Sequence, residues 1–310
     1  MNLHSVLAEL DAWQRRHPVV GFPFAVVKRY SEDHGGWLGG IVTYYGFFAL
    51  APLLVVVMTL LSAIVEDASV RERFVAAIAD VLPFVSADLE QTLAPITGNP
   101  WTVITGACVA LWGGVNAMRA GQDTMNRMWG VPRYRRPRFV RAVARGAVVL
   151  VLLFVGLVAT AGITAVTLGL QLQIAAAVVT GVVSCAVNTA IALGLFRLLV
   201  SKRLTVRELL PGAVVVGVGS YGLTLAGGLY VQHIVARAST LYGSFATMVG
   251  LFAWIALLVQ TVVYGTLVNV VRVERLWPRS ITEPRDERGD ERAAQLTATR
   301  ATLLDAPRRA

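Results

Sequence analysis

Lysine is nearly absent from this chain: of its 28 basic residues only Lys28 and Lys202 are lysine. A P-loop rests its invariant lysine on the nucleotide phosphates, and no such motif stands here, which excludes nucleotide hydrolysis of that kind. Cysteine is equally scarce. Cys108 and Cys185 both fall in apolar runs, far from any Cys or His partner in sequence, so neither a disulfide framework nor a thiolate metal site is present. The four histidines, His4, His17, His34 and His233, are scattered along the chain. Without an HxHxDH cluster or an H-E-x-x-H helix, the ligands that hold a catalytic metal and activate water are missing. The expectation is no catalytic residue, no metal and no cofactor.

Charge is missing over long distances as well. Charged residues make up 15% of the chain and hydrophobic residues 55%, and the charges are clumped. They leave uncharged runs at 37–65, 91–118, 146–196, 209–236 and 238–271. An α-helix rises about 1.5 Å per residue and a bilayer core is about 30 Å thick, so about 20 residues make one crossing. The run from 146 to 196 is long enough for two, with Gly169-Leu170-Gln171-Leu172-Gln173 as the polar turn. The pattern predicts an all-α, polytopic integral membrane protein with six transmembrane helices, at about 37–65, 100–120, 146–169, 174–197, 209–233 and 244–271. Residues 37–275 form the membrane domain. Residues 1–36 read as a cytoplasmic amphipathic segment without a cleavable signal, and 278–310 as a mostly disordered charged tail.

Orientation follows from the basic residues. Four precede the first span, eight lie between 119 and 145, four between 197 and 207, and nine from 272 onward. The alternate loops hold only Arg71, Arg73 and Arg237. With an even number of spans this places both termini in the cytoplasm. It also explains the net charge of +9 without nucleic acid. Arg119, Arg127, Arg133, Arg135, Arg136 and Arg138 become a basic cytoplasmic rim.

Several positions carry finer expectations. Pro52 removes a backbone donor inside the first span and predicts a kink near Phe48. Tyr44 and Tyr45 precede it, and at least one hydroxyl is expected to face the protein interior. The segment 66–99 repeats Val70, Phe74, Ala77, Val81 and Val85 at helical spacing, an amphipathic helix for the outer surface or the mouth of a cavity. Small residues in rows, Gly106/Ala110/Gly114, Gly181/Cys185/Thr189 and Ala213/Gly217, predict close helix approach. The second span is expected to run on past the membrane as a paired polar surface, Asn116 to Arg127, ended by Gly130-Val131-Pro132. Tyr242-Gly243-Ser244 caps the last span, which carries Trp254, Gln260, Tyr264 and Asn269. With Tyr44, Tyr45, Asn116 and Asn188, these polar side chains are candidates for interhelical hydrogen bonds or for substrate contact.

The motifs HGGWLGGIVTYYGFFALAPLL, Leu111-Trp112 followed by NRMWGVPRYRRPRF, LPGA at 210–213 and YGSFATMVGLFAW at 242–254 occur in an order that resembles the YihY/BrkB family of bacterial inner-membrane proteins. The resemblance covers about residues 20 to 275. It implies six helices with both termini inside, in the bacterial inner membrane, and a link to envelope lipids. Members are often labelled ribonuclease BN, a reading the scattered histidines reject. Members also often carry an acidic residue near the end of the last helix, where this chain reads Gly265-Thr266-Leu267-Val268-Asn269, so no carboxylate is carried over. The expected function is a transporter or flippase-like handler of lipids or other amphiphiles, through a neutral glycine-lined cavity with a basic rim. The alternative is a non-transporting scaffold. Expected partners are membrane lipids, anionic ones among them, and a second copy or another membrane protein.

Overall fold

Long apolar runs satisfy their backbone away from water by forming helices. A computed structural model describes residues 9, 11–14, 16–64, 100–132, 141, 144–146, 148, 173–230, 244–280 and 288–305, and among these the regular elements are all helices, without a strand. The long helices are α1 Pro18–Glu32, α2 Gly35–Ile64, α3 Pro100–Met128, α4 Gln173–Leu199, α5 Val206–Tyr230, α6 Ser244–Val273 and α7 Arg288–Asp305. Stretches of α4, α5 and α6, Val178–Leu199, Val206–Gly227 and Met248–Val273, are long and apolar enough to cross a membrane. The expected span 146–169, the external segment 66–99, Arg133, Arg135, Arg136, Arg138 and Tyr242 lie wholly or mostly outside the described residues. So does the side chain of Pro52, although α2 continues through that position.

Local chemistry sets the helix ends. Pro18 opens α1 where its missing N–H costs nothing. Glu208 Oε2 accepts from the Thr205 backbone N–H at 2.7 Å and the Thr205 hydroxyl at 2.9 Å, which starts α5 at Val206, three residues before the expected span. Gly130, at φ 66, closes α3, with Val131 N–H donating to Asn126 O at 2.8 Å.

The helices meet through small residues. α2 packs along α3, α5 lies between α4 and α6, and α6 also touches α2 and α1. Gly212 and Gly265 form the tightest crossing: a Cβ on Gly212 would sit 2.0 Å from Gly265 O, and one on Gly265 would sit 2.6 Å from Gly212 O. Gly217 faces Cys185 and Thr189 across α4 and α5, as the small-residue rows predict. On α3 the contact differs from expectation. Gly113, not Gly114, meets Ala49 of α2, and a Cβ on Gly114 would meet nothing within 4 Å.

Burial is concentrated at one end of these helices. Leu38 of α2, Met125 and Met128 of α3, Phe196 and Leu199 of α4, Leu209 and Ala213 of α5, and Leu267 and Val270 of α6 pack there with Ala25 and Val26 of α1. At the opposite end Trp101, Ile104, Val178, Val182, Leu225, Phe245 and Met248 are exposed.

The C-terminal region corrects an expectation. Within 278–310, read from sequence as mostly disordered, Arg288–Asp305 is the helix α7. Its first turn is pinned. Gly289 sits where a Cβ would meet Pro278 O at 2.2 Å, and Asp290 and Ala293 are buried. Charge and alanine content alone read as disorder because the groups that pair with Asp290 lie elsewhere in the chain.

Candidate functional site

The packed end holds buried polar groups that only tertiary structure brings together. Asp290 is their centre. Lys28 Nζ donates to its Oδ1 at 2.9 Å and Arg279 Nε to the same oxygen at 2.7 Å. The Ser280 backbone N–H and hydroxyl donate to Oδ2 at 2.7 and 2.8 Å. Arg279 also pairs with Glu32 of α1, and Lys28 donates to Ser280 O at 2.6 Å. Gln14 Nε2 donates to Arg279 O at 2.6 Å. Arg29, buried, pairs with Asp33 at 2.8 Å. Burial by itself would raise the Asp290 carboxyl; the Ser280 N–H, then Lys28, the Ser280 hydroxyl and Arg279 outweigh it and hold the group well below the usual carboxylate range. Three cations, Lys28, Arg29 and Arg279, meet three anions, Glu32, Asp33 and Asp290, so this clasp between α1, the 276–280 turn and α7 is neutral. It fastens α1 to α7.

Next to it lies a polar pair between α1, α2 and α6. Tyr30 donates its hydroxyl to Gln260 Oε1 at 3.1 Å, and its ring stacks on Tyr264 with centroids 4.7 Å apart. Gly39 leaves room for the Gln260 amide, which a Cβ would meet at 2.6 Å. Gln260 therefore makes an interhelical hydrogen bond, one of the two roles its place in the sequence leaves open.

Asn269 and Asn126 bond backbone groups of neighbouring helices. Asn269, fully buried, accepts from Gly212 N–H at 2.7 Å and donates to Leu209 O at 3.0 Å. This pairing needs one donor and one acceptor, which a neutral amide has and a carboxylate lacks. Asn126 does the same between α3 and the end of α4, donating to Leu199 O at 3.0 Å and accepting from Ser201 N–H at 2.8 Å. Asn126 is thus buried, whereas the sequence places it on a polar surface with Arg119, Asp123 and Arg127, which are exposed.

A third group is aromatic. Tyr44, half exposed on α2, lies against Tyr45 and Phe48 at centroid distances of 5.3 and 4.9 Å. Tyr45, partly buried, meets Trp112 of α3 at 6.2 Å, and Phe47 meets Phe252 of α6 at 5.5 Å. These rings form a partly exposed aromatic surface across α2, α3 and α6.

The remaining candidates divide. Trp254 is buried against Gly227, where a Cβ would meet its ring at 2.4 Å. Asn116 donates to Trp112 O of its own helix at 2.7 Å, an intrahelical bond. Asn188 is partly buried on α4, and Ser244 begins α6 with its side chain outside the described set. Among the described residues no group of three His, Cys, Asp or Glu side chains is placed to hold a metal. Sequence reasoning missed Lys28, Glu32, Arg279 and Asp290, which lie up to 262 residues apart and share no local motif. It also passed over Thr205 and Glu208, although Thr-x-x-Glu before an apolar run is a legible signal.

A family model described as Virulence factor BrkB matches residues 26–290. The match reaches past the 275 expected from the sequence motifs and takes in Arg279, Ser280 and Asp290. No curated protein and no solved structure matches the chain. With most of its length matched and three of its helices apolar enough to cross a membrane, the chain belongs to the BrkB family and is a membrane protein.

Proposed function

We propose that this protein crosses the bacterial inner membrane six times with both termini in the cytoplasm, and that it binds and moves lipids or related amphiphiles without covalent chemistry. The observation that carries this reading is the uneven burial along single helices. α4 buries Phe196 and Leu199 near its C-terminal end yet exposes Val178, Val179 and Val182. α6 buries Leu267 and Val270 yet exposes Phe245, Met248, Val249 and Phe252. Exposed apolar faces of this kind suit acyl chains, which cover them at no hydrophobic cost. The aromatic surface around Tyr44, Tyr45 and Trp112 adds phenol and indole groups suited to the boundary between chain and headgroup.

The test is mass spectrometry of lipids that copurify with the full chain, set against bulk membrane and an unrelated six-helix protein from the same cells. The reading expects enrichment of one lipid class, translocation of that class in proteoliposomes, and loss of translocation in Tyr45→Leu at unchanged abundance. A lipid profile equal to bulk membrane overturns it and favours a scaffold that holds partner membrane proteins. Topology is tested separately, by labelling cysteines introduced at residues 80 and 300 with an impermeant reagent. Periplasmic labelling at 80 alone is expected.

A further inference from the structure

Two helices of this protein end in the same backbone motif with different residues in it. α3 closes on Gly130 at φ 66, with Gly130 N–H on Arg127 O at 2.9 Å and Val131 N–H on Asn126 O at 2.8 Å. α6 closes on Arg275 at φ 52, with Arg275 N–H on Arg272 O at 3.3 Å and Leu276 N–H on Val271 O at 2.9 Å. Glycine is the usual occupant of this left-handed position because any Cβ there is strained. The backbone of α6 gains nothing from arginine, so the reason for Arg275 lies in its side chain.

That side chain lines a cavity of about 400 Å³ between the end of α6 and α7, with Val273, Glu274, Arg292, Gln295 and Leu296. Arg275 and Arg292 are exposed, and neither forms an ion pair among the described residues. Glu274, the one carboxylate in the lining, is committed to Lys202 Nζ at 2.5 Å. Arg292 stands two residues beyond Asp290, so the clasp that fixes α7 also sets Arg292 beside the end of α6. The cavity lining thus brings together two arginines and an apolar strip, Val273 and Leu296. A guanidinium fork matches the oxygens of phosphate, and among the described lining residues the single carboxylate, Glu274, is held by Lys202, so two forks make a cationic site for such a group.

We propose that this cavity binds a phosphate group, carried by a phospholipid headgroup or by a small soluble phosphate. The proposal does not depend on lipid transport. It places a phosphate site where both ends of the chain meet, assembled only when α7 is docked.

The experiment uses the full chain and two probes. In detergent micelles, sn-glycerol 3-phosphate is titrated by calorimetry. In nanodiscs, retention of phosphatidylglycerol against phosphatidylcholine is read by native mass spectrometry. Arg275→Gly and Arg292→Gln are each expected to weaken binding about tenfold or more, the scale of losing a charge-assisted hydrogen-bond pair. Arg275→Gly relieves the left-handed strain, so its Tm is expected to equal or exceed that of the unaltered protein. Arg272→Gln removes the same charge from an exposed position of α6 outside the cavity, and it is expected to bind within about twofold of the unaltered protein, because solvent and salt screen a charge so placed. Binding of both probes supports a site open to soluble phosphates, and binding of phosphatidylglycerol alone supports a lipid headgroup site. The proposal is overturned if neither probe binds, if either cavity variant binds as the unaltered protein does, or if Arg272→Gln loses as much as they do.

Discussion

The two ends of the helical bundle are built from the same helices and obey different rules. Near Leu38, Met128, Leu199, Leu209 and Leu267, apolar side chains pack on one another, and Asn126 and Asn269 bond backbone groups of neighbouring helices. At the other end, Val178, Val182, Leu225, Phe245 and Met248 of the same helices lie bare. In water that exposure would cost about 25 cal/mol for each Å². In a bilayer it costs nothing, so only the packed end relies on the protein's own contacts for its stability. Substitutions should therefore be severe at one end and mild along the lipid-facing surface.

The largest effect is expected from Gly212→Val. Its added carbons would enter the space of Gly265 O, 2.0 Å from an ideal Cβ, and force α5 and α6 apart. A loss of about 3 kcal/mol or more, on the scale of severe overpacking, should appear as failed folding or a large fall in Tm in detergent. Gly222→Leu is its counterpart on the same helix. A Cβ there meets nothing within 4 Å, so a change within about 0.5 kcal/mol is expected. Equal damage by both would remove the contrast between packed and lipid-facing surface.

Asp290→Asn comes next. It leaves Lys28 and Arg279 without their buried anion, at a cost of about 3 kcal/mol. Faster proteolysis of α7 should report it. The pH dependence sharpens the point. Because the folded carboxyl titrates below its unfolded value near 3.9, its stabilisation is complete above about pH 5 and is lost only as pH falls through the depressed folded value. Protection of α7 should be flat from about pH 8 to pH 5 and fail in stronger acid. A loss between pH 7 and pH 5 would contradict the clasp.

Asn269→Asp tests the side chain's bonds from α6 to α5. A carboxylate keeps the bond from Gly212 N–H but sets an anion against Leu209 O, for an expected loss of about 2 kcal/mol at neutral pH. The smallest effect is expected from Thr205→Ala, which removes the hydroxyl bond to Glu208 and leaves the Thr205 N–H on the same carboxylate. Thermal unfolding of each variant in the same detergent puts the series in order.

Much of this was legible without tertiary structure. Spans at about 37–65, 100–120, 174–197, 209–233 and 244–271 follow from uncharged length, and helices over 35–64, 100–128, 173–199, 206–230 and 244–273 stand there; Gly130-Val131-Pro132 announces the end of α3. The small-residue rows on α4 and α5 found their partners because small side chains leave one face where backbones can meet. The row on α3 misled, since spacing by four does not say which of two adjacent glycines turns inward. Asn269 was picked out as polar at depth, but no sequence pattern says that it answers Gly212 and Leu209 rather than a ligand.

The sequence by itself determined that this is a helical membrane protein, because a run of apolar residues longer than a bilayer is thick can satisfy its backbone there only as a helix. Tertiary structure alone decided that Lys28, Glu32, Arg279 and Asp290 form one neutral clasp, and that Arg275 and Arg292 face one cavity. Charges far apart in a chain carry no local signal of their partners. A carboxylate in a charged tail reads as solvated until folding brings cations to it and takes the water away.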